Sequence, residues 1–337
     1  MTKLTTADVY RGFGTKRQTD RATAVAWASA APYLAIHKDD PINIEPGDVD
    51  TDVDEYTGST HIQRRTVLNW KKEFTHVQRL RPHEAILFMA LLFGRGNLAT
   101  AQQQGVAYRT TITPLDEVEL DTITMWQASN LTGNEVIPGI GCKKLDVEGD
   151  PKGFFSLSGT LAVAGSIATG VDISGGSHPT GESYFVWGDG DVLIDDVSIK
   201  TMVKQARLSI APDIEDEYQL GGAGTAADAA IVRNLKKEDL GVLALDMEPA
   251  DATELDYIVD ETEVSAELRM TGAVIEGAYS YMLSWKFNAA RVLEGSIGKD
   301  GQIQTTGLSF LAHGDGTNPI ITFYGQNQIA EYLGAVA

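Results

Sequence analysis

Cysteine is almost missing: Cys142 stands alone in 337 residues. A single thiol excludes an internal disulfide framework and fits a reducing compartment. Positive charge is scarce as well, with 27 Lys and Arg against 47 Asp and Glu and a net charge of -20. So acidic a surface repels phosphate backbones and argues against sequence-specific reading of nucleic acid. Long apolar runs are lacking. The greasiest block, Ala85 to Phe93 within LRPHEAILFMALLFG, has nine residues. As a helix it would extend about 14 Å, half of a bilayer core of about 30 Å, so no membrane span is predicted. The opening MTKLTTADVYRGFG has no apolar core of a signal peptide, and no secretory leader is expected.

Catalytic signatures are missing too. Histidines at 37, 61, 76, 83, 178 and 313 show no zinc spacing such as H-E-x-x-H, and no G-x-S-x-G occurs. His76 and His83 are expected to be ordinary surface or interface histidines. Gly222, Gly224 and Ala227 match a relaxed dinucleotide fingerprint, but the preceding DIEDEYQL is no buried parallel strand. Asp48, Asp50, Asp52 and Asp54 resemble a calcium loop. A calcium hand needs Gly at its sixth position and Glu at its twelfth. Counting from Asp48 gives Val53 and Ser59, and counting from Asp50 gives Glu55 and His61, so both frames fail. No catalytic residue, cofactor or metal site emerges, and no enzyme is expected.

What is present is alternation. In AYSYMLSWKF, Tyr279, Tyr281, Leu283, Trp285 and Phe287 share one face, with Ser280, Ser284 and Lys286 on the other. GFFSLSGTLAVAG sets Phe155, Leu157, Leu161 and Val163 against Ser156, Ser158 and Thr160. Val192 to Ile210 is expected as one bent strand or two. GVAYRTTIT, DTITMWQAS, TGLSFLAH and ITFYGQNQI are further strands by composition. Against this stands one helix at 82–93, with Pro82 at a first helical position, Glu84 near the positive dipole end and Gly94 as its stop. It is apolar nearly all round, so it must be covered on several sides. Leu87, Phe88, Leu91 and Leu92 are expected to serve core and interface together. A second helix is predicted over TAADAAIVRNLKK, Thr225 to Lys237.

These elements predict a mainly β protein: an N-terminal arm (1–40), a first β-barrel or sandwich (41–170), a Gly/Ser-rich linker (171–190) and a second barrel-like domain (191–337), each domain with a flanking helix. Between Lys38 and Arg64 lie eight acids and no base, around Pro41, Pro46 and Gly47. That composition fits a long extended loop or hairpin. The next stretch reverses the sign, with Arg64, Arg65, Lys71, Lys72, Arg79 and Arg81 against Glu73.

The order of features resembles a known family. A basic strand, NWKKEFTHVQRLRP, runs into the apolar helix HEAILFMALLFG. GVAYRTTITPLDEVELDTITMWQAS follows, then GIGCKKLDVEGDPKGFFSLSGTLAVAGS. Together with VLIDDVSIKTMVKQARLSIAP and the closing YMLSWKFNAARVLEGSIGKDGQIQTTGLSFLAHGDGTNPIITFYGQNQ, this looks like the tail tube proteins of long-tailed bacteriophages. Residues 213–265 match nothing specific in that pattern. The resemblance implies a virion tail protein, made in the host cytoplasm, that binds copies of itself in stacked rings, hexameric or a pseudo-hexameric trimer. It implies contacts with other tail proteins at the tube ends, no membrane, and DNA passing through a negative lumen without specific binding. Contact between rings is expected from Asp48, Asp50, Asp52 and Asp54 meeting Arg64, Lys71 or Arg79. The competing expectation is a carbohydrate-binding or adhesive β-sandwich of a virion or cell surface.

Overall fold

The computed structural model describes residues 10–21, 23–27, 33–36, 43–46, 49–51, 65–67, 70–96, 98–114, 120–128, 134–149, 151–165, 167–170, 183–218, 229–234, 240–248, 262–300 and 303–335. Strands β1 (Tyr10–Arg17), β2 (Tyr33–Ile36), β3 (Asn43–Pro46), β4 (Val49–Thr51), β5 (Arg65–Val67) and β6 (Trp70–Arg79) precede helix α1 (Pro82–Phe93). Then come β7 (Leu98–Gln104), β8 (Ala107–Ile112), β9 (Ile123–Ala128), β10 (Glu135–Gly149), β11 (Phe155–Val163) and β12 (Ala168–Thr169). The later part holds β13 (Gly190–Ile194), β14 (Val197–Ser198), β15 (Val203–Ile210), β16 (Asp213–Tyr218) and β17 (Ala229–Asn234). It closes with β18 (Gly241–Met247), β19 (Val264–Glu276), β20 (Tyr279–Asp300), β21 (Ile303–Ala312) and β22 (Ile321–Asn327).

The mainly β expectation holds. A second flanking helix does not: Ala229–Asn234, inside the predicted 225–237 helix, is a strand paired with β16 from Asp213↔Asn234 to Tyr218↔Ala229. Residues 225–228 and 235–237 lie outside the described residues. The run from 192 to 210 is three strands, because Asp195 and Asp196 both take positive φ (49° and 63°) and turn β13 back as β14. Left-handed conformations at two successive residues suit a tight hairpin turn, and Asp tolerates them better than most residues.

All ladders are antiparallel, and one continuous sheet collects most of them. Its main run is β3-β6-β11-β10-β15-β18-β21-β20. Two strands act as forks. The first half of β10 pairs β9, which leads to β1 and β2, while its second half pairs β15. The β9 register slips at Pro138–Gly139, where Gly139 has φ 74°, and the change of partner falls between Ile140 and Leu145. β20 likewise leaves β21 for β22 on one edge and carries β19 on the other. From there a second run reads β14-β13-β19-β20-β22-β8-β7. Among the described residues no ladder joins the ends, so the sheet is open. The β10–β15 and β8–β22 ladders bind the earlier and later parts of the chain together.

Alternation explains the core. In the main run, Leu157, Val147, Leu208, Leu243 and Phe310 sit side by side, one per strand, all buried. In the second run, Val192, Leu268, Trp285, Phe323 and Ile112 do the same. Helix α1 packs on β10, β8, β20 and β22. Each such side chain contributes about 1.5–3 kcal/mol of transfer free energy. The helix comes so close to β22 that a Cβ on Gly325 would lie 2.3 Å from Ile86 Cγ1. Only glycine leaves room for that approach. No helix among the described residues is long and apolar enough to cross a membrane.

Candidate functional surface

The other face of the main run is broad and polar. One crosswise row is Arg79, Ser156, Glu148, Arg207, Ala244 and Ser309. The next holds Ser158, Asp146, Ser209 and Val242. Four serines stand among four charged residues, and most of the charges are matched locally. Lys144 Nζ lies 2.9 Å from Asp146 Oδ2, and Arg207 Nε 2.9 Å from Glu148 Oε1, which also accepts from Gln205 Nε2 at 2.9 Å. Lys143 reaches Glu73 at 2.8 Å, and Arg291 reaches Glu263 at 3.4 Å. Such exposed pairs are worth about 0–1 kcal/mol each. Their consequence is to leave few bare cations on the wall.

Arg79 is the exception in its row. Its guanidinium lies 4.3 Å from the Phe154 ring centroid and 4.5 Å from that of Tyr184, and the two rings stand 6.0 Å apart, edge to face. It forms no ion pair with any described residue. Phe154 is 38% exposed and the neighbouring Val186 42%. Backbone bonds fix the patch: Phe155 N–H donates to Phe185 O, and Phe185 N–H to Leu80 O.

Two excursions leave the wall at the other end. β3 with β6 and β4 with β5 keep one register: three residues on from Pro46 and three back from Trp70 stand Val49 and Val67, which are paired. The expected acidic hairpin is therefore a hairpin. Glu45 stands opposite Lys71, and Thr51 opposite Arg65, so its acidic strand faces its own basic one. The second excursion, β16–β17, is different. Asp213, Glu215, Asp216 and Glu217 stand opposite Asn234, Val232, Ile231 and Ala230. Arg233 stands opposite Ile214 in the same ladder.

Of the residues expected to join rings, Asp48, Asp52, Asp54 and Arg64 lie outside the described residues. Asp50 is in β4 opposite Thr66, Lys71 begins the basic run of β6, and Arg79 ends it. Leu87, Phe88, Leu91 and Leu92 are fully buried, as is the whole of Pro82–Phe93. The core part of the expected role is thus visible within the single chain, where the helix is covered on every side. His76 and His83 are buried too, not surface groups. His76 stands edge to face with Phe13 and Phe88, at 5.1 and 5.9 Å.

His83 ties the helix start to the end of the chain. Asn327 Nδ2 donates to Tyr332 Oη at 2.7 Å, and His83 Nδ1 lies 2.9 Å from the same hydroxyl. Burial pushes the imidazole down to about 3, so it is neutral at pH 7. Leu333 N–H donates to Thr15 O and Arg17 N–H to Gly334 O, so the last described residues are strapped along β1. Nothing in the sequence pairs His83 with Tyr332, because 249 positions separate them.

Comparison with protein-family models and with curated proteins finds no match for this chain.

Proposed function

We propose that the chain is a structural subunit of a viral tail tube, assembling with copies of itself into stacked rings around a lumen through which DNA passes. The observation that carries this reading is the broad polar face of the main sheet, with short hydroxyls and cations already matched to acids. A bare cation binds phosphate and releases counterions, which arrests a sliding polyanion; a matched one does so far less. The net charge of -20 works in the same direction. Among the described residues, β7 and the Arg291–Asp300 part of β20 each pair on one edge only, and the other edge offers backbone groups for strand addition between copies. The two-barrel plan belongs to this proposal, with 41–170 and 191–337 as two ring positions and three copies forming a pseudo-hexamer. The 43–73 hairpin is assigned to contact between rings.

The competing reading, an adhesive or carbohydrate-binding sandwich, calls for exposed aromatic platforms. Trp126 and Trp285 are buried, and Trp187 stacks on Phe155 at 5.5 Å. Negative-stain microscopy of the purified chain tests the choice. Rings or tubes are expected, and end-on views count the subunits. Particles that stay monomeric at every concentration and salt would remove the proposal.

A further inference from the structure

Residues 329–335 form a strap with a seat of its own on β1. Gln18 N–H, just past the end of that strand, donates to Thr122 O at 2.8 Å on the β9 side. By alternation, the backbone groups of Thr15 and Arg17 point to the opposite edge. β2 pairs β1 from Tyr10 to Phe13. Beyond Phe13 the strap takes over: Leu333 N–H donates to Thr15 O at 2.8 Å, and Arg17 N–H donates to Gly334 O at 3.1 Å. Two buried side chains plug it in place, Tyr332 and Leu333, and the Tyr332 hydroxyl meets His83 and Asn327.

The strap differs from the rest of the sheet. Its contact with β1, Lys16↔Gly334, is parallel, whereas the ladders among the described residues are antiparallel. Parallel pairing is the weaker kind per residue. Leu333 holds φ 54°, a left-handed backbone that strains a leucine and persists only where its surroundings impose it. An open cleft of about 600 Å³ runs alongside, lined by Arg17, Arg95, Leu98 and Thr100 as well as by residues 330–335. Leu98 and Thr100 belong to β7, which among the described residues pairs on one edge only. Lifting the strap would join this cleft to the bared edge of residues 15–17 as one slot between β1 and β7.

We infer that the strap is an edge guard, which closes residues 15–17 of β1 in the free chain and swings out before that edge takes a strand of another copy. The hinge lies between Asn327, the last residue of β22, and the first plug, Tyr332; Gln328 and Ala330 within it are exposed. An unguarded edge adds strands indiscriminately, and a removable cover makes the addition conditional. A short segment with few backbone bonds and a strained residue opens without unfolding the core. What the bared edge receives rests on the tube reading; the opening itself does not.

Hydrogen exchange on the full chain reads the opening. Arg17 and Gln18 are neighbours, but the first amide is bonded to the strap and the second to Thr122. Corrected for intrinsic rates, Arg17 is expected to exchange about tenfold faster or more. Equal protection of the two amides would overturn the guard. Sedimentation reads the consequence. Lys16→Cys with Gly334→Cys places a disulfide across the parallel bridge, and Glu331→Ala accompanies them because a Cβ at 334 would lie 2.3 Å from the Glu331 carboxyl carbon. The native thiol, Cys142, is buried and does not compete. The oxidised variant is expected to stay monomeric, and reduction should restore association. Tyr332→Phe drops only the hydroxyl held by His83 and Asn327. It should speed exchange at Arg17 and lower the concentration needed for association several-fold, with circular dichroism melting showing that it still folds. Oxidised protein associating like the reduced form would overturn the guard while the tube reading stands. An unaltered chain that stays monomeric at every concentration would count against the tube reading instead, and the guard would then stand or fall on the exchange of Arg17 alone.

Discussion

Two apolar stretches, Pro82–Phe93 and Ala229–Asn234, invite the same helical expectation and end differently. The first is a helix buried on all sides; the second is a strand of a two-stranded excursion. Propensity separates them poorly, since Ala favours helix in both, with Leu and Met doing so in the first and Arg in the second. Three things do. The first stretch has its own stop, with Gly94 at φ 77° donating to Ala90 O at 2.9 Å. It has sheet on several sides to bury it, at β10, β8, β20 and β22. The second holds adjacent β-branched Ile231 and Val232 and follows an acidic strand whose backbone groups need partners. Pairing satisfies those groups, and tertiary demand overrides a weak local preference.

The largest break in this comparison comes from charging the buried helix. Leu87→Asp or Leu91→Asp strands an unpaired carboxylate in the core and should cost about 3–5 kcal/mol or more, enough to prevent folding. Soluble, cooperatively melting protein from either variant would contradict this. Acid probes the helix start next. His83 titrates near 6.5 when unfolded and about 3 when folded, so below 6.5 the unfolded state binds a proton that the folded state refuses. Stability is thus full above pH 6.5 and falls as pH drops toward 3, by several kcal/mol at most. His83→Gln should flatten that slope in urea melts taken from pH 7 to 4. The smallest effect tests the strand. Ala230→Val raises β propensity and lowers helix propensity. It should shift stability upward by about 0.5 kcal/mol if 229–234 is paired as described, and downward if it is helical. The urea midpoint gives the sign.

Much of the sheet was legible because alternation needs no partner to be recognised. Tyr281, Leu283, Trp285 and Phe287 are buried as their spacing demands, and so are Phe155, Leu157, Leu161 and Val163. Departures from alternation marked the fork strands poorly. Neither the bend at Pro138–Gly139 nor the passage of β20 from β22 to β21 has a local signature, since both depend on which strands arrive at each edge. The Asp195–Asp196 turn was overlooked because paired acids read as surface charge rather than as left-handed backbone. The Arg79 clasp was invisible for a different reason. Phe154 and Tyr184 flank a Gly/Ser-rich stretch, and only the ladder between β6 and β11 carries them to the arginine.

By itself the sequence determined where this chain is apolar, where it alternates and where its charge lies, because those properties belong to residues and their spacing. It thereby pointed to two helices, many strands and an acidic extended loop or hairpin. The tertiary structure decided which edges meet, which helix survives, and which charges are matched across a ladder. Those outcomes depend on long-range partners competing for the same backbone and side-chain groups, and no stretch of chain can settle such a competition alone.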